Sequence, residues 1–196
     1  MNNIEQYVES KNLNNLKLKY PNCLGFNKYM NYSRYINGRI KLCKDIGLTN
    51  GIKRSILDIS SGFGYFPLVC RFMGHRVKLT DIPNNLFDDV TDLFELEKKY
   101  MDIPTTGKII IPFNIKFDII SAFSVVPMSY FNNDSWLLFL NICFNQINKN
   151  GFILLSPNRG GINKLNLFLD TRIGKSLFIK ETCSNKNTTI VRKNES

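Results

Sequence analysis

Residues 55–81 constrain the fold of this 196-residue chain more than any other segment. A short apolar run, Ser55–Ile59, leads into a turn that contains Gly62 and Gly64, and a helical pattern follows. A second apolar run then ends at Asp81. A strand, a glycine turn, a helix and a second strand with a terminal carboxylate form the unit that builds a nucleoside-binding crevice in α/β sheets.

Short apolar runs alternate with helical patterns over most of the chain. We predict strands at residues 55–59, 76–80, 108–111, 117–123 and 152–156. We predict helices at residues 4–19, 28–46, 65–73, 85–100, 134–148 and 161–172. Apolar strands separated by helices indicate an α/β fold with a mostly parallel sheet and helices on both faces. Two further runs, 176–180 and 188–192, flank a polar turn at 184–187 and predict a C-terminal antiparallel hairpin.

The length and composition indicate one globular domain with a core of ordinary size. Hydrophobic residues make up 43% of the chain, and no apolar stretch approaches the roughly 20 residues that a membrane span requires. The first residues lack the basic and then apolar pattern of a signal peptide. Within this domain we expect an N-terminal helical cap, residues 1–50, and a core, residues 51–196.

The cysteines predict a reducing environment. The chain has five of them, an odd number, and no two stand in a C-x-x-C arrangement. This spacing favours free, mostly buried thiols and offers no metal site. We therefore expect a cytoplasmic protein without a metal ion.

The net charge of +10 makes nucleic acid a candidate partner. However, Asn, Lys and Ile are abundant throughout the chain, as an AT-rich coding sequence would produce, and the lysines do not cluster. No basic run alternates with aromatic residues. A nucleic-acid partner is therefore compatible with the charge but not favoured by its pattern.

The ligand crevice should lie beyond the carboxyl ends of the strands, where the strand order reverses. Asp81 ends the second strand, where a carboxylate can accept hydrogen bonds from both hydroxyls of a ribose; alternatively, it caps the turn before Pro83. Ile82 would form an apolar wall for an adenine ring. Asp58 would orient the glycine loop and reach the ligand through water. Phe113 would either form another side of the adenine slot or pack in the core.

The segment Asp58-Ile59-Ser60-Ser61-Gly62-Phe63-Gly64 resembles the D-x-G-x-G-x-G signature of class I S-adenosylmethionine (SAM)-dependent methyltransferases. Ser60 replaces the first glycine, which requires a residue other than Gly in a conformation that Gly usually takes. The resemblance covers about residues 30 to 192. It is to a bacterial group of methyltransferase domains with a G-Y-F-P helix start, here Gly64-Tyr65-Phe66-Pro67, and it includes segments 81–89, 117–123 and 136–152.

The resemblance implies a Rossmann-like methyltransferase fold with a seven-stranded sheet, a SAM cofactor and substrate entry over the strand ends. The candidate cofactor-binding residues are Asp58, Ser60, Ser61, Gly62, Gly64, Tyr65, Asp81, Ile82, Phe113 and Phe123. A nicotinamide-dependent dehydrogenase is the competing hypothesis at the level of fold. It expects a third glycine where Pro67 stands, and the chain shows no second catalytic module.

Candidate contacts to the methyl acceptor come from segments over the crevice, and they are Tyr32, Ser124, Asn158 and Arg159. The tyrosines at 29, 32 and 35 fit a packing face of the helix equally well. Arg159 suits an anionic substrate group, or it is a solvated loop residue. The single histidine, His75, is expected to be structural, at the edge of the sheet opposite the crevice, so we assign no general base.

The chain has the complete cofactor-binding part of such an enzyme but no appended domain for recognising a large substrate. This favours methyl transfer to oxygen or nitrogen of a small molecule or glycan precursor. Two alternatives remain. Positive charge clustered on the crevice face would indicate an RNA methyltransferase. A filled or distorted cofactor slot would indicate a subunit of this fold that binds without catalysing.

Overall fold

The computed structural model describes residues 2–21, 29–104, 108–184 and 187–194. The strands are β1 (Ser55–Ile59), β2 (Arg76–Asp81), β3 (Lys98–Tyr100), β4 (Phe117–Phe123), β5 (Ile147–Ser156), β6 (Phe178–Thr182) and β7 (Thr189–Lys193). The α-helices are α1 (Asn2–Ser10), α2 (Asn14–Lys19), α3 (Tyr32–Asp45), α4 (Tyr65–Phe72), α5 (Asn85–Leu93), α6 (Asn133–Asn145), α7 (Arg159–Leu169) and α8 (Arg172–Leu177), and a 3-10 helix spans Val126–Tyr130.

All seven strands belong to one sheet, in the order β3-β2-β1-β4-β5-β7-β6. The pairs from β3 to β5 are parallel, whereas β7 runs antiparallel to both β5 and β6. This confirms the predicted parallel sheet with a C-terminal hairpin. The chain enters the sheet at β1 in the centre, continues outward through β2 to β3 and then returns to β4 on the other side of β1. The strand order therefore reverses between β1 and β4.

Apolar side chains cover both faces of the sheet, because successive strand residues point to opposite sides. Ile56 of β1 packs into a cluster that includes Val8, Ile36 and Leu68, from helices α1, α3 and α4. Its neighbour Leu57 packs into the opposite cluster. That second cluster contains Trp136, Phe139, Leu140, Leu165 and Phe168 from helices α6 and α7.

The third strand of the sheet is not where the apolar pattern placed it. The helix predicted for residues 85–100 ends at Leu93, after which Glu95 takes a φ of +56°. β3 then pairs with β2 on one side only, at the edge of the sheet. An edge strand exposes much of its surface, so Lys98 and Lys99 are tolerated there and leave no apolar signal. Residues 108–111 form no strand; Ile109 is nevertheless buried in the core.

β5 begins earlier than expected. The helix predicted for residues 134–148 spans Asn133–Asn145, and β5 starts at Ile147 instead of residue 152. The register against β4 shifts between Phe117 and Ile119, and Asn150 has a φ of +66°. The polar sequence of residues 148–151 reads as a helix end because an irregular strand segment uses the same residue types as a turn.

The remaining boundaries differ at the ends of the chain. The helix predicted for residues 4–19 is divided into α1 and α2 by a turn in which Asn12 has a φ of +49°. The helix predicted for 161–172 is replaced by α7 and the short α8. Two residues of the predicted hairpin turn, 185 and 186, and part of the predicted helix 28–46 lie outside the described residues.

Cys43, Cys70, Cys143 and Cys183 are free and buried, and Cys23 lies outside the described residues. In the part of the chain that the structure describes, no helix has the length and apolar character needed to cross a bilayer.

Candidate functional site

The loop between β1 and α4 turns sharply at the carboxyl edge of the sheet. Ser60, Gly62 and Gly64 have φ values of +55°, +54° and +68°, in the left-handed region. Ser60 therefore takes the conformation that its place in the glycine signature requires. At Gly64, a Cβ atom would lie 2.9 Å from Cδ1 of Leu96, so a side chain would not fit without movement. These angles bring the loop backbone close to the end of β2.

Asp81, the last residue of β2, binds this loop through a backbone hydrogen bond. The backbone N–H of Gly62 donates a hydrogen bond to Oδ2 of Asp81 at 2.6 Å, and the N–H of Ile82 donates to Oδ1 at 2.8 Å. Burial raises the pKa of the Asp81 carboxyl, and the two backbone hydrogen bonds oppose this rise. Each carboxylate oxygen has a second lone pair, so both can still accept hydrogen bonds from a ligand.

Asp58 lies deeper, in the penultimate position of β1. Its side chain is buried, and Oγ of Ser121 on β4 donates a hydrogen bond to Oδ1 at 2.6 Å. Burial raises the pKa of Asp58 to about 7, although hydrogen bonds from Ser121 and Ser61 and the charge of Arg39 act in the opposite direction. Oγ of Ser61 also donates to the backbone oxygen of Asp58 at 2.9 Å, which ties the glycine loop to the strand.

A crevice of about 400 Å³ opens between these loops. Much of its wall is aromatic, with Tyr29, Tyr35, Phe63, Tyr65, Phe66, Phe87 and Phe123. The rings of Tyr29 and Phe63 stack at 4.9 Å between centroids, and those of Tyr35 and Tyr65 at 5.6 Å. The hydroxyl of Tyr65 donates to the backbone oxygen of Tyr29 at 2.8 Å. Tyr29 and helix α3 therefore cover one side of the crevice with aromatic rings.

Most of the predicted cofactor residues line this crevice. They are Asp58, Ser60, Ser61, Gly62, Tyr65, Asp81, Ile82 and Phe123, and Ser124 from the predicted acceptor set joins them. Ser124 has a φ of +56°, directly after β4. Gly64 lies behind the lining, at the start of α4.

Phe113 and Tyr32 do not line the crevice. Phe113 is buried against Phe117, with 6.0 Å between ring centroids, so its use is core packing. It follows residues 108–111, which are not a strand, and so the strand end that would have carried it to the crevice does not exist. The Tyr32 hydroxyl donates to Oε1 of Glu9 at 3.0 Å, on the outer side of the helical layer.

Asn158, Arg159 and His75 have other positions. Asn158 caps α7: its Oδ1 accepts from the N–H of Gly161 at 3.0 Å and from Oγ of Ser129 at 2.5 Å. Arg159 is exposed at the first turn of α7. His75 is buried before β2, at the opposite edge of the sheet, where its Nδ1 accepts from the N–H of Arg54 at 3.2 Å. Its Nε2 can then donate to the oxygen of Leu48 at 2.9 Å.

The sequence analysis missed several lining residues, among them Arg39, Asp102 and Ile103. Asp102 and Ile103 follow β3, and their position at a strand end would have identified them if β3 had been recognised. Arg39 lies on α3, and only the packing of that helix brings it to the crevice. In the described ranges, no cluster of three or more His, Cys, Asp or Glu side chains has the arrangement of a metal site.

No protein-family model matches the sequence. No curated protein matches it. Solved structures do match. A TehB-like SAM-dependent methyltransferase from Corynebacterium glutamicum is 15% identical, with 86% of this chain and 99% of that chain covered and a TM-score of 0.54.

Two further structures have TM-scores of 0.50. A methyltransferase from Pyrococcus furiosus is 17% identical and covers 71% of this chain and 74% of its own. A ribosomal protein L11 methylase from Lactobacillus delbrueckii subsp. bulgaricus is 13% identical, with coverages of 74% and 72%. At these identities the similarity is one of architecture, and it establishes that this chain has the Rossmann-like methyltransferase fold.

Proposed function

We propose that this chain is a SAM-dependent methyltransferase. The observation that carries the proposal is the Asp81 carboxylate, which ends β2 inside the crevice and is held against the glycine loop by the N–H of Gly62. A carboxylate at this position is suited to the two hydroxyls of a ribose. The G-Y-F-P resemblance at residues 64–67 supports the same assignment.

The rest of the crevice fits an adenosine that carries an amino acid. Ile82 and Ile103 offer apolar surface for a purine ring, and the neighbouring carboxylate of Asp102 can accept a hydrogen bond from an exocyclic amine. The glycine loop of Ser60, Ser61 and Gly62 allows close backbone approach. A volume of about 400 Å³ lies within the usual range for small-molecule sites.

When bound, the methyl sulfonium of SAM supplies an electrophilic carbon for in-line displacement by the acceptor's lone pair. The protein's own contribution is alignment and exclusion of water. Asp81 and the loop hold the nucleoside end, and the aromatic wall formed by Tyr29, Tyr35 and Phe63 keeps the open side apolar. No histidine of the chain reaches this site, since the single one is buried at the other edge of the sheet.

We propose a small molecule or glycan precursor as the acceptor, methylated at oxygen or nitrogen. The described lining residues include the carboxylates of Asp58, Asp81 and Asp102 and, as their counterpart, the cation of Arg39. Three carboxylates against one cation make the lining of the crevice unfavourable for a polyanion. This speaks against RNA as the acceptor, despite the overall charge of +10. A filled or distorted slot would have favoured a subunit that binds without catalysing, and the open crevice of about 400 Å³ does not support that alternative.

The test is calorimetric titration of SAM into the wild-type protein, an Asp81→Ala variant and an Asp92→Ala control. Asp92 is exposed on α5, away from the crevice, so the control removes one carboxylate at a position that does not contact the proposed ligand. We expect Asp81→Ala to weaken binding roughly tenfold to a hundredfold, the usual range for hydrogen bonds to a charged group. If wild type does not bind SAM, the function fails; if Asp81→Ala binds as tightly as the control, the ribose assignment fails.

The acceptor is identified by incubating the protein with SAM carrying a labelled methyl group, separately with a small-molecule extract and with total RNA. Label in a low-molecular-weight product supports the proposed acceptor class. Label in RNA alone would replace it by the RNA alternative.

A further inference from the structure

Arg39 is the only cationic side chain among the described residues that line the crevice. It projects from α3 in the helical layer, and its guanidinium carbon lies 4.0 Å from the centre of the Phe123 ring. Phe123 is the last residue of β4. Arg39 therefore marks the side of the crevice that adjoins β4, whereas Asp81 marks the side that adjoins β2.

In the part of the chain that the structure describes, no anionic side chain pairs with the guanidinium of Arg39. Within the described ranges it has neither a hydrogen-bond acceptor nor a carboxylate in ion-pair contact. Burial lowers the pKa of Arg39, and the charge of Asp58 opposes this effect from a greater distance. A partly buried cation with five unused donors is costly unless something supplies acceptors. A carboxylate is the partner whose planar geometry matches the guanidinium.

The distance between the ends of β2 and β4 allows the amino-acid end of the proposed cofactor to extend from Asp81 towards Arg39. β2, β1 and β4 are adjacent, so Asp81 and Phe123 end strands that lie two positions apart, roughly 10 Å at the usual strand spacing. If Asp81 holds the ribose, an amino-acid chain extending from the ribose across β1 would bring its charged end towards Asp58 and Arg39. This end carries one ammonium and one carboxylate, and Asp58 and Arg39 carry the opposite charges.

We propose that Arg39 binds the carboxylate of the amino-acid end of SAM and thereby makes this site selective for a nucleoside that carries an intact amino acid. The proposal rests on the proposed function, and it assigns a specificity role to a residue of the N-terminal helical layer. It predicts that removal of the carboxylate from the ligand and removal of the guanidinium from the protein have the same effect and are not additive.

The experiment measures the affinities of two ligands by calorimetry. S-adenosylhomocysteine and its decarboxylated analogue, S-adenosyl-3-thiopropylamine, differ only in the carboxylate. They are titrated into wild type, Arg39→Met, Arg39→Lys and the control Arg34→Met, with Arg34 exposed on the same helix. We expect wild type and Arg34→Met to prefer S-adenosylhomocysteine by roughly tenfold to a hundredfold. Arg39→Met should bind both ligands about equally, at the affinity that wild type has for the analogue.

Arg39→Lys retains a cation without the fork of donors, and we expect an intermediate preference. It also keeps the test valid if Arg39→Met does not fold, as judged by circular dichroism. A wild-type protein that binds both ligands equally would overturn the Arg39 assignment and leave the cofactor site intact. So would an Arg39→Met variant that retains the wild-type preference. A wild-type protein that binds neither ligand would overturn the proposed function and this inference together.

Discussion

Asp58 shows how a single buried carboxyl group adjusts its chemistry to the fold around it. It lies between β2 and β4 in the middle of a parallel sheet, and its hydrogen bond from Ser121 only partly offsets the loss of water. The result is a pKa of about 7, well above the value of an exposed aspartate. The charge on this group near neutral pH is therefore sensitive to whatever binds beside it.

Asp58→Asn should change the pH dependence of stability. The folded pKa is raised, so the folded state holds a proton that the unfolded state releases between about pH 4 and 7, and stability falls as the pH rises through this interval. A shift of this size corresponds to at most about 4 kcal/mol. We expect Asp58→Asn to be more stable relative to wild type at pH 8 than at pH 5, by about 2–3 kcal/mol in urea denaturation, because part of the shift lies below pH 5.

The control for this prediction is Asp92→Asn on the exposed face of α5, which should leave the difference between the two pH values unchanged. An Asp58→Asn variant whose stability relative to wild type is the same at both pH values would show that Asp58 ionises normally in the folded protein.

Short helices in this chain are determined by what they pack against more than by their own propensity. α8 contains a glycine at position 174 that is buried against the end of α7. A Cβ atom on Gly174 would lie 2.3 Å from the backbone oxygen of Phe168 and 2.8 Å from Cα of Leu169. Backbone atoms cannot move aside as the tip of a side chain can, so the close approach of the two helices requires glycine here.

Gly174→Ala should therefore destabilise the protein, although alanine is the better helix former by about 1 kcal/mol. We expect a loss of about 1–3 kcal/mol in the free energy of unfolding, as for other overpacked sites. Gly38→Ala on α3 is the matched substitution: no atom lies within 4 Å of the added Cβ. It should stabilise by up to about 1 kcal/mol. Two changes of the same sign in urea denaturation would contradict the packing argument at position 174.

The N-terminal helices and the sheet share one apolar cluster. Val8, Ile36 and Cys43 from α1 and α3 pack with Ile56 of β1 and Leu68 of α4. The division into a cap of residues 1–50 and a core of residues 51–196 stays a prediction about chain organisation. The shared cluster favours a cap that unfolds together with the core, because separating them would expose buried apolar surface on both sides.

Ile36→Ala tests this cooperativity. Ile36 is fully buried, and its truncation should cost about 2–5 kcal/mol. Trp136 is the only tryptophan, and it is buried on the opposite face of the sheet. If the molecule unfolds as one unit, the urea midpoint measured by Trp136 fluorescence should shift by the same amount as the midpoint measured by circular dichroism. A fluorescence midpoint that does not move would identify the cap as an independent unit.

The amino-acid sequence alone determined those parts of the fold that depend on residues close together along the chain. β1, the loop with Gly62 and Gly64, α4 and β2 follow one another within 27 residues, and their hydrophobic pattern and turn residues predicted both the crevice and Asp81. The left-handed φ of Ser60 also followed from the motif alone. The parallel sheet with its antiparallel C-terminal hairpin followed from the alternation of strands and helices and from the resemblance; the order of the strands came from the structure.

Folding decided the parts whose signal is not local. β3 is a polar edge strand that pairs on one side, so its apolar content was too low to reveal it, and Asp102 and Ile103 were missed with it. Of the two uses considered for Phe113, the side of the adenine slot depended on the strand predicted at residues 108–111, and the structure places Phe113 in the core instead. Arg39 stands 19 positions before Asp58 on a helix with other charged residues, and nothing in its neighbourhood distinguishes it. Its loss of water and its position over Phe123 arise only when α3 packs across the strand ends, because burial depends on contacts between segments that are distant along the chain.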